Sequence, residues 1–389
     1  MSTDSSIPDP PKGLGRFYSY LNSAINVLRK YKGAEPLAHF LKHHFAAHKK
    51  MGSKDRKQIA HLCYCYFRLG KAFTDLSLEQ QVLLGLKKSD KAPGPEWNQI
   101  IAAYKVPDEA PPGIFPWKDK LSAAIDAAAL ERSFLIQPDL FLRIRPGNQE
   151  AVLKKLTDAG VAFEKEGAAL RLLNTARVGE VLSVNKEVVV QDLSSQEISF
   201  FLKHFKSEIP NQKSEIRVWD CCAASGGKSI LAVDELGVVD LTVSDIRASI
   251  IANLKERFRE AGINNYRAFI GDATKPNDQL SNALFDLVIT DVPCTGSGTW
   301  SRTPEQLFYF NPQQIVHYTK LQRSILQNSV RHVKKGGYLL YITCSVFKAE
   351  NEDQVAFLTA QGFEVVEQQV ITGYDRKADT LFGALLKKT

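Results

Sequence analysis

The sequence has few cysteines and no long apolar run, and each of these absences excludes a class of protein. Six cysteines in 389 residues are too few for a disulfide framework in a chain of this size. No uninterrupted apolar stretch approaches the roughly 18 residues that a membrane-spanning helix needs. The first dozen residues, MSTDSSIPDPPK, lack a basic segment followed by an apolar one. We therefore expect a disordered start, a cytoplasmic protein with reduced thiols, and no membrane partner.

Residue patterns typical of a metal site are also missing. Cys63 and Cys65 lie in the apolar run QIAHLCYCYFRLG, and no second Cys or His cluster stands at zinc-ligand spacing from them. The five histidines between residues 39 and 61 have no accompanying carboxylate or cysteine pattern. We expect the two cysteines to be packing residues, the histidines to be surface or core residues, and no metal to be bound.

Acidic residues are scarce in the N-terminal part of the chain. Residues 11–75 contain 13 Lys or Arg and 3 Asp or Glu, a net charge of +10, whereas the whole chain carries +7. Such an excess is typical of a surface that faces phosphates, because each neutralised phosphate releases counterions. A solvated helical face has the same composition, so charge alone leaves both interpretations open.

The hydrophobic pattern changes along the chain and indicates three domains. Helical periodicity extends from residue 17 to about 103, and the Pro- and Gly-rich stretch 106–117 indicates a linker. Residues 139–191 read strand, helix, strand, strand, short helix, strand, which predicts a small sheet covered by helices on one face. From Ile216 apolar strands alternate with helices, as in an open, mostly parallel sheet. We predict an all-α domain over 13–135, a small α/β domain over 136–192, and a doubly wound Rossmann-like domain over 193–389.

Polar and reactive side chains stand at the ends of the strands predicted in the last domain. Ligands of open parallel sheets bind outside the carboxyl ends of the strands, so these side chains should surround one cleft. The residues concerned are Asp220, Asp245, Asp272, Asp291 with Cys294, and Cys344.

The loop after the first of these strands has the features of a nucleotide-binding loop. Ala224 to Lys228 opens a helix, and Gly226 and Gly227 allow the backbone to approach a ligand closely. Asp245 follows about 20 residues later, the spacing at which an acid binds ribose hydroxyls in nucleotide-binding units. Asp272 is suited to accept from an adenine amino group. We therefore predict a cofactor that contains ribose.

Two other nucleotide-binding loops match this segment less well. The stretch CAASGGKS has Cys222 where a phosphate-binding loop has its first glycine, which disfavours a nucleoside triphosphatase. The glycine pattern of dinucleotide-binding proteins is absent, which disfavours a dehydrogenase.

The two thiols at strand ends indicate a type of reaction. Carbon 5 of cytosine is a poor nucleophile, but a thiolate that adds to carbon 6 makes carbon 5 able to attack an electrophilic methyl group. Asp291 is the nearest candidate for the acid at cytosine N3. The residues alone do not say whether Cys294 or Cys344 attacks. Cys221 and Cys222, which follow the first strand, are interpreted as small packing residues.

At these positions the sequence resembles the Sun/Fmu (RsmB-type) family of RNA cytosine-5 methyltransferases. The segments DCCAASGGK, GDATK, FDLVITDVPCTGSGTWSRTPE and KKGGYLLYITCSVFKAENE look like the ordered motifs of that family, and the paired P-C and T-C elements are the most diagnostic. VQDLSSQ resembles the segment that leads into the catalytic domain. The small sheet before it resembles an RNA-recognition-like subdomain, and the helical N-terminal domain is similar to a NusB-like RNA-binding domain.

The resemblance implies a class I methyltransferase fold, S-adenosylmethionine as cofactor and RNA as substrate, with ribosomal RNA favoured over transfer RNA, and we expect a monomer. It implies that Cys344 is the nucleophile, that Cys294 assists product release, and that Asp291 and Lys228 take part in catalysis. Ser225 stands where the family usually has proline, so we expect a looser, less pre-organised turn. The alternative function is a non-catalytic RNA-binding or ribosome-assembly factor. The cofactor contacts that the resemblance implies are Cys222, Ala223, Ala224, Ser225, Gly226, Gly227, Lys228, Asp245, Asp272 and Asp291.

Overall fold

The computed structural model describes residues 13–89, 92–108, 113–209 and 214–389. The expected disorder of the first dozen residues lies outside the described residues, and so does the middle of the predicted linker, residues 109–112. The described chain separates into two compact units, which we call the helical unit and the catalytic unit. The helical unit contains the described residues of Met1–Lys118, Asp126–Gln137 and Trp300–Asn311; the catalytic unit contains those of Asp119–Ile125, Pro138–Thr299 and Pro312–Thr389.

The described residues form fourteen α-helices and eleven strands. The helices are α1 (Gly15–Lys30), α2 (Leu37–Ala47), α3 (Ser53–Arg68), α4 (Leu78–Lys88), α5 (Pro95–Ala103), α6 (Ala127–Ser133), α7 (Gln149–Asp158), α8 (Leu193–Glu197), α9 (Ser199–Glu208), α10 (Gly227–Leu236), α11 (Ala248–Glu260), α12 (Pro304–Tyr309), α13 (Gln313–Ser329) and α14 (Glu352–Thr359). The strands are β1 (Leu140–Ile144), β2 (Glu164–Glu166), β3 (Ala169–Leu172), β4 (Val188–Val190), β5 (Ile216–Asp220), β6 (Val239–Asp245), β7 (Tyr266–Ile270), β8 (Phe285–Asp291), β9 (Val333–Thr343), β10 (Phe363–Ile371) and β11 (Leu381–Lys388).

The helical unit buries the apolar stripes of α1 to α5 in one core. Sequence signals set its local structure, as at α4, where Ser77 and Gln80 form a reciprocal capping box. Cys63 and Cys65 are completely buried in this core, so their prediction as packing residues is confirmed. Burial raises the pKa of the Cys63 thiol, which keeps it protonated and inert.

The helical unit also contains a segment from the C-terminal half of the chain. Residues 300–311, which the sequence pattern placed in the methyltransferase domain, contribute α12 to this unit. The buried Arg68 donates hydrogen bonds to the carbonyl oxygens of Phe134, Ile136 and Ser301. The Glu305 carboxylate accepts from the backbone N–H of Leu37 at the start of α2. These contacts join residues up to 268 positions apart in the chain. The periodicity of the sequence cannot predict contacts over such distances.

The described part of the predicted linker is packed within the helical unit. Residues 113–117 form neither helix nor strand, in agreement with their Pro and Gly content. Phe115 is nevertheless fully buried, with ring centroids 5.7 Å from Phe134 and 6.2 Å from Trp300. The segment is therefore part of a core instead of a free connection.

A four-stranded antiparallel sheet begins the main part of the catalytic unit. Its strand order is β2-β3-β1-β4, and its elements follow the predicted order, with a short 3₁₀ helix at Val178–Glu180. Helix α7 covers one face through Val152 and Leu156. The other face is covered too, because Phe141 packs against Leu193 and Ala378, so the expected single covered face is wrong.

The seven-stranded sheet of the catalytic unit has the order β10-β11-β9-β8-β5-β6-β7. Strands β9, β8, β5, β6 and β7 are parallel, whereas β11 pairs antiparallel with both β9 and β10. The chain leaves β5 toward β6 and β7 and then returns to β8 on the other side of β5. This reversal is the switch point at which doubly wound sheets open a crevice for a ligand.

Candidate active site

The carboxyl ends of the parallel strands form two adjoining clefts. Strands β5, β6 and β8 end at Asp220, Asp245 and Asp291, and Cys344 directly follows β9. We call the first cleft, of about 390 Å³, the Asp245 cleft and the second, of about 320 Å³, the Lys228 cleft. The predicted site residues that line the Asp245 cleft are Cys222, Ala224, Asp245, Asp272, Asp291, Cys294 and Cys344. Those that line the Lys228 cleft are Cys222, Ala223, Ala224, Ser225, Gly227, Lys228, Asp291 and Cys344.

Asp245 is a buried carboxylate held by four donors. It accepts from the backbone N–H of Ala224 at 3.1 Å and from the backbone and guanidinium of Arg247 at 2.9–3.0 Å. Burial raises the pKa of Asp245, but the hydrogen bonds and charge of Arg247 outweigh burial, and the net pKa is lowered. Asp245 is therefore an ionised acceptor at neutral pH. No motif in the sequence pointed to Arg247 as its partner.

Asp272 is a second ionised acceptor in the same cleft. The Thr274 hydroxyl and backbone N–H both donate to one of its oxygens, at 2.6 and 3.0 Å. These hydrogen bonds lower the pKa of Asp272. The second oxygen lies 3.5 Å from Lys275 and keeps acceptor capacity.

The loop between β5 and α10 has a tightly determined shape. Ala224 and Gly226 both have positive φ angles, 45° and 82°. A Cβ on Gly226 would lie 2.5 Å from Cε1 of the buried Phe258, so only glycine fits there. Gly226 lines neither cleft and acts through the shape of the turn.

Ser225 has a contact that proline could not make. Its hydroxyl accepts a hydrogen bond at 3.0 Å from the guanidinium of Arg257 on α11, and Arg257 also reaches the Ser225 carbonyl at 3.3 Å. Asn185 orients Arg257 by accepting from its Nε at 2.8 Å. This tether opposes the looseness expected from serine at this position.

Lys228 projects from the first turn of α10 toward Asp291. Its ammonium donates to the Ser195 hydroxyl at 2.7 Å and lies 3.4 Å from the Asp291 carboxylate. The Lys228 side chain is only 12% exposed, which keeps this cation close to the carboxylate. The sequence motifs predicted Lys228 and Asp291, but Ser195 precedes them by 33 residues or more and was missed.

The two strand-end thiols are in contact. The sulfur of Cys294 lies 3.3 Å from the sulfur of Cys344, where the two clefts meet. The contact with Cys344 and burial raise the pKa of Cys294 well above its ordinary value. Cys294 is therefore protonated at neutral pH, and its S–H lies within reach of the Cys344 sulfur. Of the neighbouring Cys221 and Cys222, the first is buried and the second reaches both clefts.

Membrane spans and metal clusters are both missing from the part of the chain that the structure describes. None of its helices has both the length and the apolar character needed to cross a membrane. No cluster of three or more His, Cys, Asp or Glu side chains among the described residues has the geometry of a metal site.

The fold is that of a Rossmann-like methyltransferase, which confirms the fold predicted from the sequence. The crystal structure of PH0851 superposes with a TM-score of 0.72 at 18% identity, over 98% of this chain and 99% of that one. NSun6 from Pyrococcus horikoshii, solved with SFG, superposes with a TM-score of 0.55 at 14% identity, over 65% of this chain and 91% of that one.

Sequence comparison finds a matching family model. Residues 209–378 match the family described as 16S rRNA methyltransferase RsmB/F, which confirms the Sun/Fmu (RsmB-type) resemblance. The chain is 30% identical over 230 residues to the probable ribosomal RNA small subunit methyltransferase B of Bacillus subtilis, and 26% identical over 266 residues to the ribosomal RNA small subunit methyltransferase B of Xylella fastidiosa. These alignments cover 58% and 67% of this chain and only 50% and 60% of the two relatives.

Proposed function

We propose that the protein transfers a methyl group from S-adenosylmethionine to carbon 5 of a cytosine in RNA. The observation that carries this proposal is the 3.3 Å contact between Cys294 and Cys344 at the junction of the two clefts. A pair of thiols beside a cofactor cleft suits addition to a pyrimidine followed by release. The curated relatives, which are named as ribosomal RNA methyltransferases, favour ribosomal RNA over transfer RNA as substrate.

The donors and acceptors of the Asp245 cleft suit S-adenosylmethionine. Asp245 and Asp272 are ionised acceptors, as ribose hydroxyls and an adenine amino group require. At Asp245 the exposed guanidinium of Arg247 occupies two acceptor positions, which it has to leave before ribose hydroxyls can bind there. Ile246, Leu321 and Ile325 add apolar wall for a purine ring. S-adenosylmethionine held by these residues would supply an electrophilic methyl group.

The Lys228 cleft suits a cytosine turned out of the RNA. The Cys344 thiolate adds to carbon 6 and forms a C–S bond as the double bond between carbons 5 and 6 opens, and Asp291, in its protonated form, gives a proton to N3. Lys228 holds a positive charge beside Asp291 and stabilises the electrons displaced toward the ring nitrogen and oxygen. After methylation, carbon 5 loses its proton to water, the C–S bond breaks with its electron pair returning to the Cys344 sulfur, and N3 gives its proton back to Asp291. Cys294, which is protonated in the resting enzyme, assists this release.

A denaturing gel with labelled RNA tests these roles. Cys344→Ala should give neither methylation nor a covalent protein–RNA band, because the nucleophile is lost. In Cys294→Ala, Cys344 should still add to the cytosine and the methyl group should still be transferred, but the RNA should not be released from the protein. A slow-migrating covalent band should therefore accumulate. The double variant should give no band. Cys63→Ala, which removes a buried thiol of the helical unit, is the matched control and should turn over normally.

Other results of this experiment would contradict the proposal. A band from Cys344→Ala that is missing from Cys294→Ala would exchange the two roles. If the unmodified protein transfers no labelled methyl group to any RNA, a non-catalytic RNA-binding or assembly factor becomes the better explanation. Bisulfite sequencing of ribosomal and transfer RNA from cells with and without the protein would identify the cytosine.

A further inference from the structure

A completely buried carboxylate connects the two loops that carry the thiols. Glu350 has no exposed surface and lies in a short 3₁₀ turn, Lys348–Glu350, soon after Cys344. One of its oxygens accepts from the Thr295 backbone N–H and from the Gln322 amide, each at 3.0 Å. The other accepts from the hydroxyls of Thr295 and Ser345, each at 2.6 Å. Thr295 directly follows Cys294 and Ser345 directly follows Cys344, so one side chain holds the neighbours of both thiols.

Further hydrogen bonds hold the other side of each cysteine. The Gln322 amide that reaches Glu350 also donates to the carbonyl oxygen of Pro293, directly before Cys294, at 3.0 Å. The Thr343 hydroxyl, directly before Cys344, donates to Asn351, the residue after Glu350, at 2.6 Å. Both thiols are therefore flanked on each side by residues anchored to Glu350, to its partner Gln322 or to its chain neighbour Asn351.

The chemistry of this network suits a structural anion. All four contacts place a donor against the carboxylate, which is the arrangement that compensates an ionised group for burial. Burial raises the pKa of Glu350 above its ordinary value, and the hydrogen bonds from Ser345 and Thr295 oppose that rise only in part. Glu350 is not among the residues that line either cleft, so it acts through the residues that it holds.

We propose that Glu350 is a positioning residue that keeps Cys294 and Cys344 in sulfur contact by tying their two loops together. This inference rests on the proposed function, because its consequence is the rate at which Cys344 adds to the base. A misplacement of about 1 Å at a reacting group can cost on the order of a hundredfold in rate. Loosening the two loops should therefore slow the thiol chemistry without affecting the Asp245 cleft.

The test measures the addition step directly. In the Cys294→Ala background, where the covalent adduct accumulates, Glu350→Gln should slow the appearance of the adduct at saturating RNA and cofactor by about tenfold or more. The affinities for S-adenosylmethionine and RNA should not change, so the effect should fall on the rate of adduct formation at saturation and not on the concentrations that give half of that rate. Glu305→Gln is the matched control: it neutralises a buried glutamate of the helical unit that holds a backbone N–H, and it should leave the adduct rate unchanged.

Two milder variants extend the test if Glu350→Gln does not fold. Thr295→Val and Ser345→Ala each remove one hydroxyl from the carboxylate, and each should slow adduct formation several-fold at temperatures well below its melting transition. An adduct rate equal to that of the Cys294→Ala parent in every folded variant of this set would overturn the positioning role, whatever happens to the melting temperature. If the Cys294→Ala parent itself forms no adduct, while unmodified protein also fails to methylate RNA, the proposed function fails and not this inference alone.

Discussion

Asp245 shows how neighbouring residues prepare a buried carboxylate for the proposed cofactor. Its carboxylate is kept ionised inside the protein by Arg247 and by the N–H of Ala224. A hydrogen bond to a charged group contributes about 1.5–3 kcal/mol, and about 1.4 kcal/mol corresponds to a tenfold change in affinity. Asp245→Ala should therefore weaken S-adenosylmethionine binding about tenfold or more in calorimetry.

The control for this prediction lies on the same strand. Asp240 is also in β6, pairs with Arg217 and is 38% exposed in its side chain. Asp240→Ala should leave cofactor affinity as it is. Equal affinities for Asp245→Ala and the unmodified protein would remove Asp245 from the site.

Asp220 predicts a pH dependence of stability. It is completely buried, and one of its oxygens accepts from the Ser229 hydroxyl at 2.6 Å. Burial raises the pKa of Asp220 from 3.8 to about 7. The folded protein therefore binds this proton more tightly than the unfolded chain, and the resulting stability is lost as the pH rises toward 7.

Asp220→Asn removes this titration and keeps an acceptor for Ser229. The free energy of unfolding of the variant minus that of the unmodified protein should rise by about 2–3 kcal/mol when the pH is raised from 5 to 8. Urea denaturation at the two pH values measures the difference. Asp240→Asn should follow the unmodified protein. A difference between Asp220→Asn and the unmodified protein that is the same at both pH values would show that Asp220 does not titrate in this range.

At the scale of elements, the turn between β5 and α10 is determined by one glycine. Gly226→Ala would place a methyl group against Phe258 and force an unfavourable φ, two effects that each cost about 1–3 kcal/mol. The displaced loop should also lose cofactor affinity. Chemical denaturation and calorimetry measure the two losses separately.

Gly237 is the matched position at the other end of α10. Its φ is also positive, at 89°, but no atom lies within 4 Å of the position that a Cβ would take there. Gly237→Ala should cost only the backbone strain, about 1–3 kcal/mol, and should leave cofactor affinity intact. If both variants lose the same cofactor affinity, the shape of the Gly226 turn is not what prepares the cleft.

At the scale of the whole molecule, the basic helical unit predicts a salt-dependent contribution to RNA affinity. Deleting the N-terminal residues is a poor test, because segments 126–137 and 300–311 belong to the same unit and would lose their core partners. Lys49 and Lys50 are exposed and adjacent in the chain. Replacing both by glutamine should lower the slope of log affinity against log salt by roughly 1.4–1.8 if both contact phosphates.

The control uses another adjacent pair of exposed lysines. Replacing Lys334 and Lys335 of the catalytic unit by glutamine removes the same charge. This change should leave the slope of log affinity against log salt closer to that of the unmodified protein. Cofactor affinity should not change in either double variant. Equal slopes for the Lys49 and Lys50 variant and the unmodified protein would mean that this charge is a solvated surface.

The strand ends and their cluster followed from the sequence alone. The sequence shows apolar strands that end at Asp245 and Asp291 or just before Cys344. This was enough to predict that the three side chains lie together, because the carboxyl ends of parallel strands share one edge of a sheet. The packing roles of Cys63 and Cys65 were equally readable, since free cysteines in apolar helical runs are usually buried.

Tertiary structure alone decided how these parts meet. The 3.3 Å contact between the two thiols depends on the pairing of β8 with β9 and on the anchoring of both loops to Glu350. Segment 300–311 joined the helical unit through contacts between residues hundreds of positions apart. Local periodicity describes which face of an element is apolar, but not which distant element covers that face. The second covered face of the small sheet, the tether from Arg257 to Ser225 and the buried carboxylate behind the thiols were therefore visible only in the folded chain.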